Sequence, residues 1–146
     1  MTGPRRRASH VVVDTDALSW ALDPRPHPRG TSARTLIGGR TRVVSFITVT
    51  ELRYGALLAG WGELRLRSLA RSLADLDVVQ TSQQLIERCA ELRTWASRAG
   101  HPLAQKIHEA DRWVAATALV LELELVAGDR VFDRIPGLTV LFVDTQ

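Results

Sequence analysis

The chain has 146 residues, a length that accommodates one hydrophobic core and argues against a second domain. Apolar residues make up 45% of it and charged residues 24%, which excludes a chain that is disordered throughout. The formal net charge is +3, but residues 1–42 hold eight arginines against three aspartates. Arginine suits contacts with phosphate, although arginine excess also follows genomic composition, so a polyanionic partner is one interpretation of two.

Three classes of protein are set aside by simple counts. Cys89 is the only cysteine, so the sequence offers neither an intramolecular disulfide nor a cysteine zinc site. No apolar run reaches the roughly 18–20 residues of a membrane span. We therefore expect no membrane association and a cytoplasmic location. We predict a basic flexible arm over residues 1–9 and a single domain over residues 10–146.

Short apolar runs alternate with amphipathic stretches along the chain. In chain order the sequence predicts a strand at 11–13, a short helix at 17–21, a proline-rich loop at 23–30, a weak helix at 32–37, a strand at 42–46, helices at 48–60 and 62–75, a strand at 78–79, helices at 82–99 and 109–121, and strands at 124–127 and 138–143. This alternation favours an α/β fold with a central, mostly parallel sheet of four to five strands flanked by helices.

Two of the predicted helices carry an apolar face. Leu52, Leu57 and Leu58 are expected to point inward from the helix at 48–60. Along the helix at 82–99 the predicted inward positions are Leu85, Ile86, Cys89 and Leu92. Packing of these faces against the sheet would form a three-layer domain.

Four acidic side chains fall at the edge of the sheet where functional sites of parallel α/β proteins collect. Asp14 closes the first strand, Glu51 lies in the first turn of the helix after the second, Asp111 begins the alanine-rich helix, and Asp129 follows the strand at 124–127. When carboxylates lie this close to one another, each resists ionisation unless a cation compensates the negative charge. Mg²⁺ or Mn²⁺ is the expected cofactor, and such a pocket suits hydrolysis of phosphodiesters by metal-activated water.

Each acid also has an ordinary structural explanation. Asp14 and Asp16 could form a turn and cap a short helix. Thr48 and Glu51 have the spacing of a capping box, which taken alone is the simpler interpretation. Asp111 could be an exposed helix acid, and Asp129 could be a turn residue. Only the joint placement of the four favours a site.

Four segments of the sequence are together characteristic of one protein family. They read VVVDTDALS at 11–19, SFITVTELRYGA at 45–56, DRWVAATAL at 111–119 and GDRVFDRIPGL at 128–138. In order and spacing they resemble the PIN-domain ribonucleases of the VapC toxin type, over nearly the whole chain after the arm. The segments around Glu51 and Asp111 are the most specific.

The resemblance implies a function, a cofactor and partners. It implies a Mg²⁺- or Mn²⁺-dependent endoribonuclease that is the toxin of a toxin–antitoxin pair, forms a homodimer, cuts RNA and is silenced by an antitoxin. The family's acidic positions fall on Asp14, Glu51, Asp111 and Asp129, which are the predicted catalytic and metal-binding residues.

Several neighbours of the four acids are candidates for supporting roles. Thr15 and Asp16 could help to orient a ligand, and Arg112 and Arg53 could contact phosphates at the rim or merely pair with acids on their own helices. His108 could hydrogen-bond a ligand or be solvated. Trp61, between two glycines, is the best candidate for an exposed ring that stacks on bases.

Two functions from other classes remain open at this point. The first is a Mg²⁺-dependent phosphoacceptor switch, which would need a lysine near the pocket; Lys106 is the only lysine and does not follow a strand. The second is a PIN-like module that binds RNA or protein without catalysis. A Mg²⁺ titration separates this module from the endoribonuclease.

Overall fold

A computed structural model describes residues 4–144, which contain a five-stranded sheet with every neighbouring pair of strands parallel. The strands are β1 His10–Val13, β2 Thr41–Ser45, β3 Asp77–Val79, β4 Leu125–Ala127 and β5 Val140–Phe142. They lie in the order β3-β2-β1-β4-β5. The predicted α/β class with a central parallel sheet is confirmed.

Helices cover both faces of this sheet. They are α1 Pro4–Ser9, α2 Thr15–Leu22, α3 Pro28–Ile37, α4 Phe46–Leu58, α5 Glu63–Ala74, α6 Gln83–Ala99 and α7 Glu109–Leu121, with short 3-10 helices at Pro102–Ala104, Lys106–His108 and Arg130–Phe132. Helices α6 and α7 pack on one face, whereas α2, α3 and α5 pack on the other. Within residues 4–144, no helix has both the length and the apolar content to cross a bilayer.

The central strand β1 shows why the sheet must be covered on both sides. Val11, Val12 and Val13 have no exposed surface. Because successive side chains of a strand point to opposite faces, Val12 packs with α6 and α7, while Val11 and Val13 pack with α2 and α3. The β-branched run therefore forms the middle layer of a three-layer fold.

Some helix boundaries differ from the sequence prediction because local caps decide them. Helix α3 begins four residues earlier than predicted: the His27 Nδ1 accepts a hydrogen bond from the Gly30 N–H, and Pro28 occupies the first helical position. Helix α4 begins at Phe46, where the Ser45 hydroxyl accepts from the Ile47 N–H. The Ser45 cap places Glu51 in the second turn of α4 rather than the first.

Part of the segment predicted as a basic arm is helical. Residues 4–9 form helix α1, in which the Ser9 hydroxyl donates to the Arg5 carbonyl oxygen at 2.7 Å. Residues 1–3 lie outside the described part of the chain. The segment lacks an apolar period, so its sequence pattern does not predict a helix there.

The predicted apolar face of α4 is also wrong in part. Leu57 is 64% exposed and Leu58 is 72% exposed, whereas Leu52 is partly buried. On α6, Ile86 is exposed, while Leu85, Cys89 and Leu92 are buried as predicted. The C-terminal half of α4 therefore keeps Ala56 in the core and presents Leu57 and Leu58 to solvent.

The strand order positions the functional end of the fold. From β1 the chain passes to β2 and β3 on one side, and later crosses to β4 and β5 on the other. The crevice at the carboxyl ends of β1 and β4 is thus the topological switch point, where ligands of open parallel sheets bind. Asp14 follows β1 there, and Gly128 and Asp129 follow β4.

Candidate active site

Asp14 is a buried carboxylate fixed by two backbone groups. It is 3% exposed, its Oδ1 accepts from the Ala17 N–H at 2.7 Å, and its Oδ2 accepts from the Gly128 N–H at 3.1 Å. The first bond caps α2, as the ordinary explanation of Asp14 predicted, and the second joins β1 to the turn after β4. Burial raises the pKa of Asp14 to about 7, and the Asp16 and Asp111 carboxylates add to this effect, despite the lowering by the two N–H groups.

Asp111 and Asp129 meet beside Asp14. Ligand atoms of His108, Asp111 and Asp129 all lie within 4.8 Å of one another. The His108 Nδ1 is 2.7 Å from the Asp111 Oδ2, and the Asp129 Oδ1 accepts from the Val131 N–H at 2.8 Å. Of the residues the structure describes, these three form a group whose ligand atoms a small adjustment would bring to one metal ion.

Burial and neighbouring carboxylates raise the pKa values of Asp111 and Asp16. Burial raises the pKa of Asp111, the hydrogen bond from His108 lowers it, and Asp129 and Glu51 raise it again. Burial likewise raises the pKa of Asp16, and Asp129 adds to the effect while Arg29 opposes it. Charge repulsion of this kind is what a bound cation relieves.

Glu51 reaches the site through a hydrogen bond rather than through a helix cap. The Thr15 hydroxyl donates to the Glu51 Oε1 at 2.6 Å, and the Thr15 and Thr48 hydroxyl oxygens are 3.3 Å apart. The capping-box interpretation is wrong, because Ser45 caps α4 and Thr48 is fully buried inside the helix. Thr15 therefore orients a candidate ligand, as the sequence suggested it could.

The four predicted acids lie near one another: Asp14 and Glu51 interact electrostatically with Asp111, and Asp111 and Asp129 belong to the group of ligand atoms within 4.8 Å. We call these four residues, Asp14, Glu51, Asp111 and Asp129, the acidic pocket. Asp16 lies at its border, where it interacts electrostatically with Asp129. His108 joins Asp111 and Asp129 more closely than the sequence interpretation allowed. The available signal was its position three residues before Asp111, just ahead of helix α7.

Arg112 does not occupy the rim. It is 3% exposed, and its guanidinium donates to the carbonyl oxygens of Leu103 at 2.9 Å and Gln105 at 2.8 Å. The predicted phosphate contact is therefore replaced by a structural role. Arg112 ties down the segment that leads to His108.

One exposed arginine borders the acidic pocket. Arg29, at the start of α3, lies over the Trp20 ring at 5.1 Å and interacts electrostatically with Asp16. Its guanidinium is therefore placed where an anionic ligand would approach the carboxylates. Arg53 on α4 is exposed, but it lies two residues after Glu51, and side chains two apart on a helix do not share a face.

The tight packing of Trp20 explains a glycine after β4. A Cβ added to Gly128 would lie 2.6 Å from the Trp20 Cη2 and Cζ3 atoms and 3.1 Å from the Asp16 Cβ. Only a residue without a side chain brings its N–H so close to Asp14.

The Trp61 ring, predicted to be exposed, is partly buried and has the Arg65 guanidinium 4.0 Å from its centroid.

Comparison with solved structures places this fold among toxin–antitoxin proteins. One similar structure is that of VapBC2 from Rickettsia felis bound to a promoter DNA fragment. A chain of it has a TM-score of 0.75 at 24% identity, and the match covers 92% of this chain and 99% of that chain. A chain of DNA-bound VapBC from Salmonella typhimurium has a TM-score of 0.69 at 25% identity, and the match covers 92% of this chain and 98% of that chain. A chain of FitAcB from Neisseria gonorrhoeae has a TM-score of 0.70 at 23% identity, and the match covers 90% of this chain and 96% of that chain.

Sequence comparison agrees with the likeness in fold. A search of functionally curated proteins returned no significant match. Residues 11–138 match the family model of the PIN domain. That range contains strands β2, β3 and β4 and all of β1 except its first residue, whereas β5 lies outside it. It also contains the whole acidic pocket. This protein belongs to the PIN domain family.

Proposed function

We propose that this protein is a divalent-metal-dependent endoribonuclease and the toxin of a type II toxin–antitoxin pair that acts in the cytoplasm. The observation that carries the proposal is the convergence of four carboxylates at the switch point of the sheet, with burial raising the pKa of Asp14 to about 7. Like charges are kept together in this way where a cation is meant to bind.

The donor set fits a divalent cation. Carboxylate oxygens are the ligands preferred by Mg²⁺ and Mn²⁺, and Asp14, Glu51, Asp111 and Asp129 would hold the ion. Bound there, it would neutralise charge on the scissile phosphate and supply an activated water as nucleophile.

The protein's own groups keep these donors in place before any ligand arrives. Two backbone N–H groups fix Asp14, the Thr15 hydroxyl orients Glu51, and the Val131 N–H holds Asp129. Each carboxylate belongs to a different element of the scaffold. Such preorganisation reduces the rearrangement that accompanies reaction.

RNA is the substrate we propose, because the protein is basic outside the acidic pocket. Neutralisation of the four carboxylates of the acidic pocket would raise the formal net charge from +3 to +7. Arg29 is exposed, interacts electrostatically with Asp16 at the border of the pocket, and suits a phosphate group. Unpaired RNA can bring its backbone into an open crevice of this kind.

The proposed partners are an antitoxin protein and a second copy of the chain. Support comes from the matched structures, which are those of VapBC and FitAcB proteins. It also comes from exposed apolar side chains on α4 and α5, namely Tyr54, Leu57, Leu58 and Leu64. Apolar patches of this kind mark protein interfaces.

Cleavage of single-stranded RNA by the purified chain, with and without Mn²⁺ or Mg²⁺, tests the proposal. Asp14→Asn should abolish cleavage, while Asp75→Asn, which changes an exposed carboxylate at the end of α5, should not. RNA that is bound but never cut would identify a non-catalytic module instead. Equal cleavage by the wild type and Asp14→Asn would refute the assigned site.

A further inference from the structure

The inference concerns His108, which lies against two carboxylates of the acidic pocket and has no part in the predicted ligand set. Its Nδ1 is 2.7 Å from the Asp111 Oδ2, and one of its ring nitrogens lies within 4.8 Å of ligand oxygens of both Asp111 and Asp129. Ligands about 2.1 Å from a metal lie at most about 4.2 Å apart across it. A small adjustment would bring all three atoms to one ion.

The fold holds the imidazole in this position. His108 ends the 3-10 helix Lys106–His108, and its side chain is 21% exposed. The buried Arg112 guanidinium binds the carbonyl oxygens of Leu103 and Gln105 just before this turn. Ile107, its neighbour in the turn, is 82% exposed. The turn therefore directs His108 toward the carboxylates while its neighbour faces solvent.

We propose that His108 is a nitrogen ligand of the pocket and that it makes this protein prefer Mn²⁺ to Mg²⁺. The inference rests on the proposed function, since it concerns the same ion. Carboxylates suit both ions, but Mg²⁺ is a hard cation that takes oxygen ligands and keeps its waters, whereas Mn²⁺, a first-row transition metal, accepts an imidazole nitrogen more readily. One nitrogen beside two carboxylates shifts the preference toward Mn²⁺.

The competing role for His108 is that of a hydrogen-bond donor to Asp111 alone. A donor would orient the carboxylate without touching the ion, so its removal would weaken Mn²⁺ and Mg²⁺ alike. A ligand makes a different prediction, because its removal weakens Mn²⁺ selectively. The ratio of the two affinities therefore distinguishes the two roles.

The experiment measures metal binding by the full chain after removal of metal with EDTA. Electron paramagnetic resonance gives Mn²⁺ affinity, competition gives Mg²⁺ affinity, and electron spin-echo modulation reports a ¹⁴N coupling from any imidazole bound to Mn²⁺. The test variant is His108→Asn, whose amide retains a donor near the position of the Nδ1. The matched control is His10→Asn, at the opposite end of β1.

We expect a ¹⁴N coupling in the wild type and in His10→Asn, and its loss in His108→Asn. We also expect the preference for Mn²⁺ over Mg²⁺ to fall about tenfold or more in His108→Asn. A wild-type Mn²⁺ complex without nitrogen coupling, or an unchanged affinity ratio, overturns the inference but leaves the nuclease intact. A wild type that binds neither ion overturns the metal-dependent function as well.

Discussion

The buried carboxylate of Asp14 makes the stability of the metal-free protein depend on pH in a defined direction. Its pKa in the folded state is raised from 3.8 to about 7, chiefly by burial. Below pH 4 the group is protonated in both the folded and unfolded states, so it does not lower the free energy of unfolding. Between pH 4 and pH 7 the unfolded chain releases a proton that the folded chain retains, and the free energy of unfolding falls as pH rises.

The size of the effect follows from the shift in pKa. About 3 pKa units correspond to about 4 kcal/mol of destabilisation once Asp14 is ionised in the folded state. Asp14→Asn removes this charge, but the asparagine side chain has a single oxygen. The variant therefore keeps the hydrogen bond from the Ala17 N–H and loses the hydrogen bond from the Gly128 N–H. The lost bond costs about 1–2 kcal/mol.

The two effects oppose each other and have different pH dependence. At pH 8 the variant should be more stable than the wild type by about 2–3 kcal/mol, which raises Tm by about 5–10 °C for a chain of this size. At pH 4 it should be less stable by about 1–2 kcal/mol. The difference in free energy of unfolding therefore changes sign between these pH values.

Urea denaturation followed by circular dichroism, in EDTA at both pH values, measures this difference. Asp75→Asn is the control, because an exposed carboxylate should change stability by less than about 0.5 kcal/mol. A variant that is less stable than the wild type at pH 8, or a difference that is the same at both pH values, would refute the reasoning. Mn²⁺ should remove the advantage of the variant, since it stabilises the folded wild type.

Four further outcomes are expected. Asp111→Asn should lower the rate of RNA cleavage by at least about a hundredfold with an unchanged circular dichroism spectrum, and a rate near that of the wild type would exclude Asp111 from the site. EDTA should stop cleavage and Mn²⁺ should restore it, with 5′-phosphate product ends detected by end-labelling; activity without metal would indicate attack by the ribose 2′-hydroxyl. Gly128→Ala should lose about 1–3 kcal/mol of stability in urea titrations, because its Cβ would overlap the Trp20 ring, and an unaffected midpoint would contradict that packing. Arg112→Met should cost about 2–3 kcal/mol, because two carbonyl oxygens lose a charged donor, and it should also weaken Mn²⁺ binding through His108; a variant with normal stability would show that Arg112 is dispensable.

The sequence determined the fold class because burial leaves a periodic record. The run of valines before Asp14 can be satisfied only in a strand covered on both faces, and the helices between strands require parallel connections. The carboxyl ends of parallel strands share one edge, so acids after β1 and β4 could be assigned to one place from their positions alone. The structure brings together the same four acids.

Only the tertiary structure decided the roles of residues whose partners are distant in the chain. Arg112 is as polar as Arg53 in sequence, yet Arg112 is buried against two carbonyl groups and Arg53 is exposed. Glu51 has the spacing of a helix cap, but its carboxylate binds Thr15, 36 residues away. Such contacts depend on how elements pack, and packing leaves no period in the sequence.

The ends of helices and the position of His108 also depend on contacts that leave no period in the sequence. A cap at Ser45 or His27 is a single hydrogen bond, and it competes with other polar residues nearby for the same role. His108 stands beside Asp111 because Arg112 secures the preceding turn, a contact that no spacing rule contains. The sequence thus predicted which carboxylates lie together, while the tertiary structure decided which neighbours hydrogen-bond to them and which side chains stand beside them.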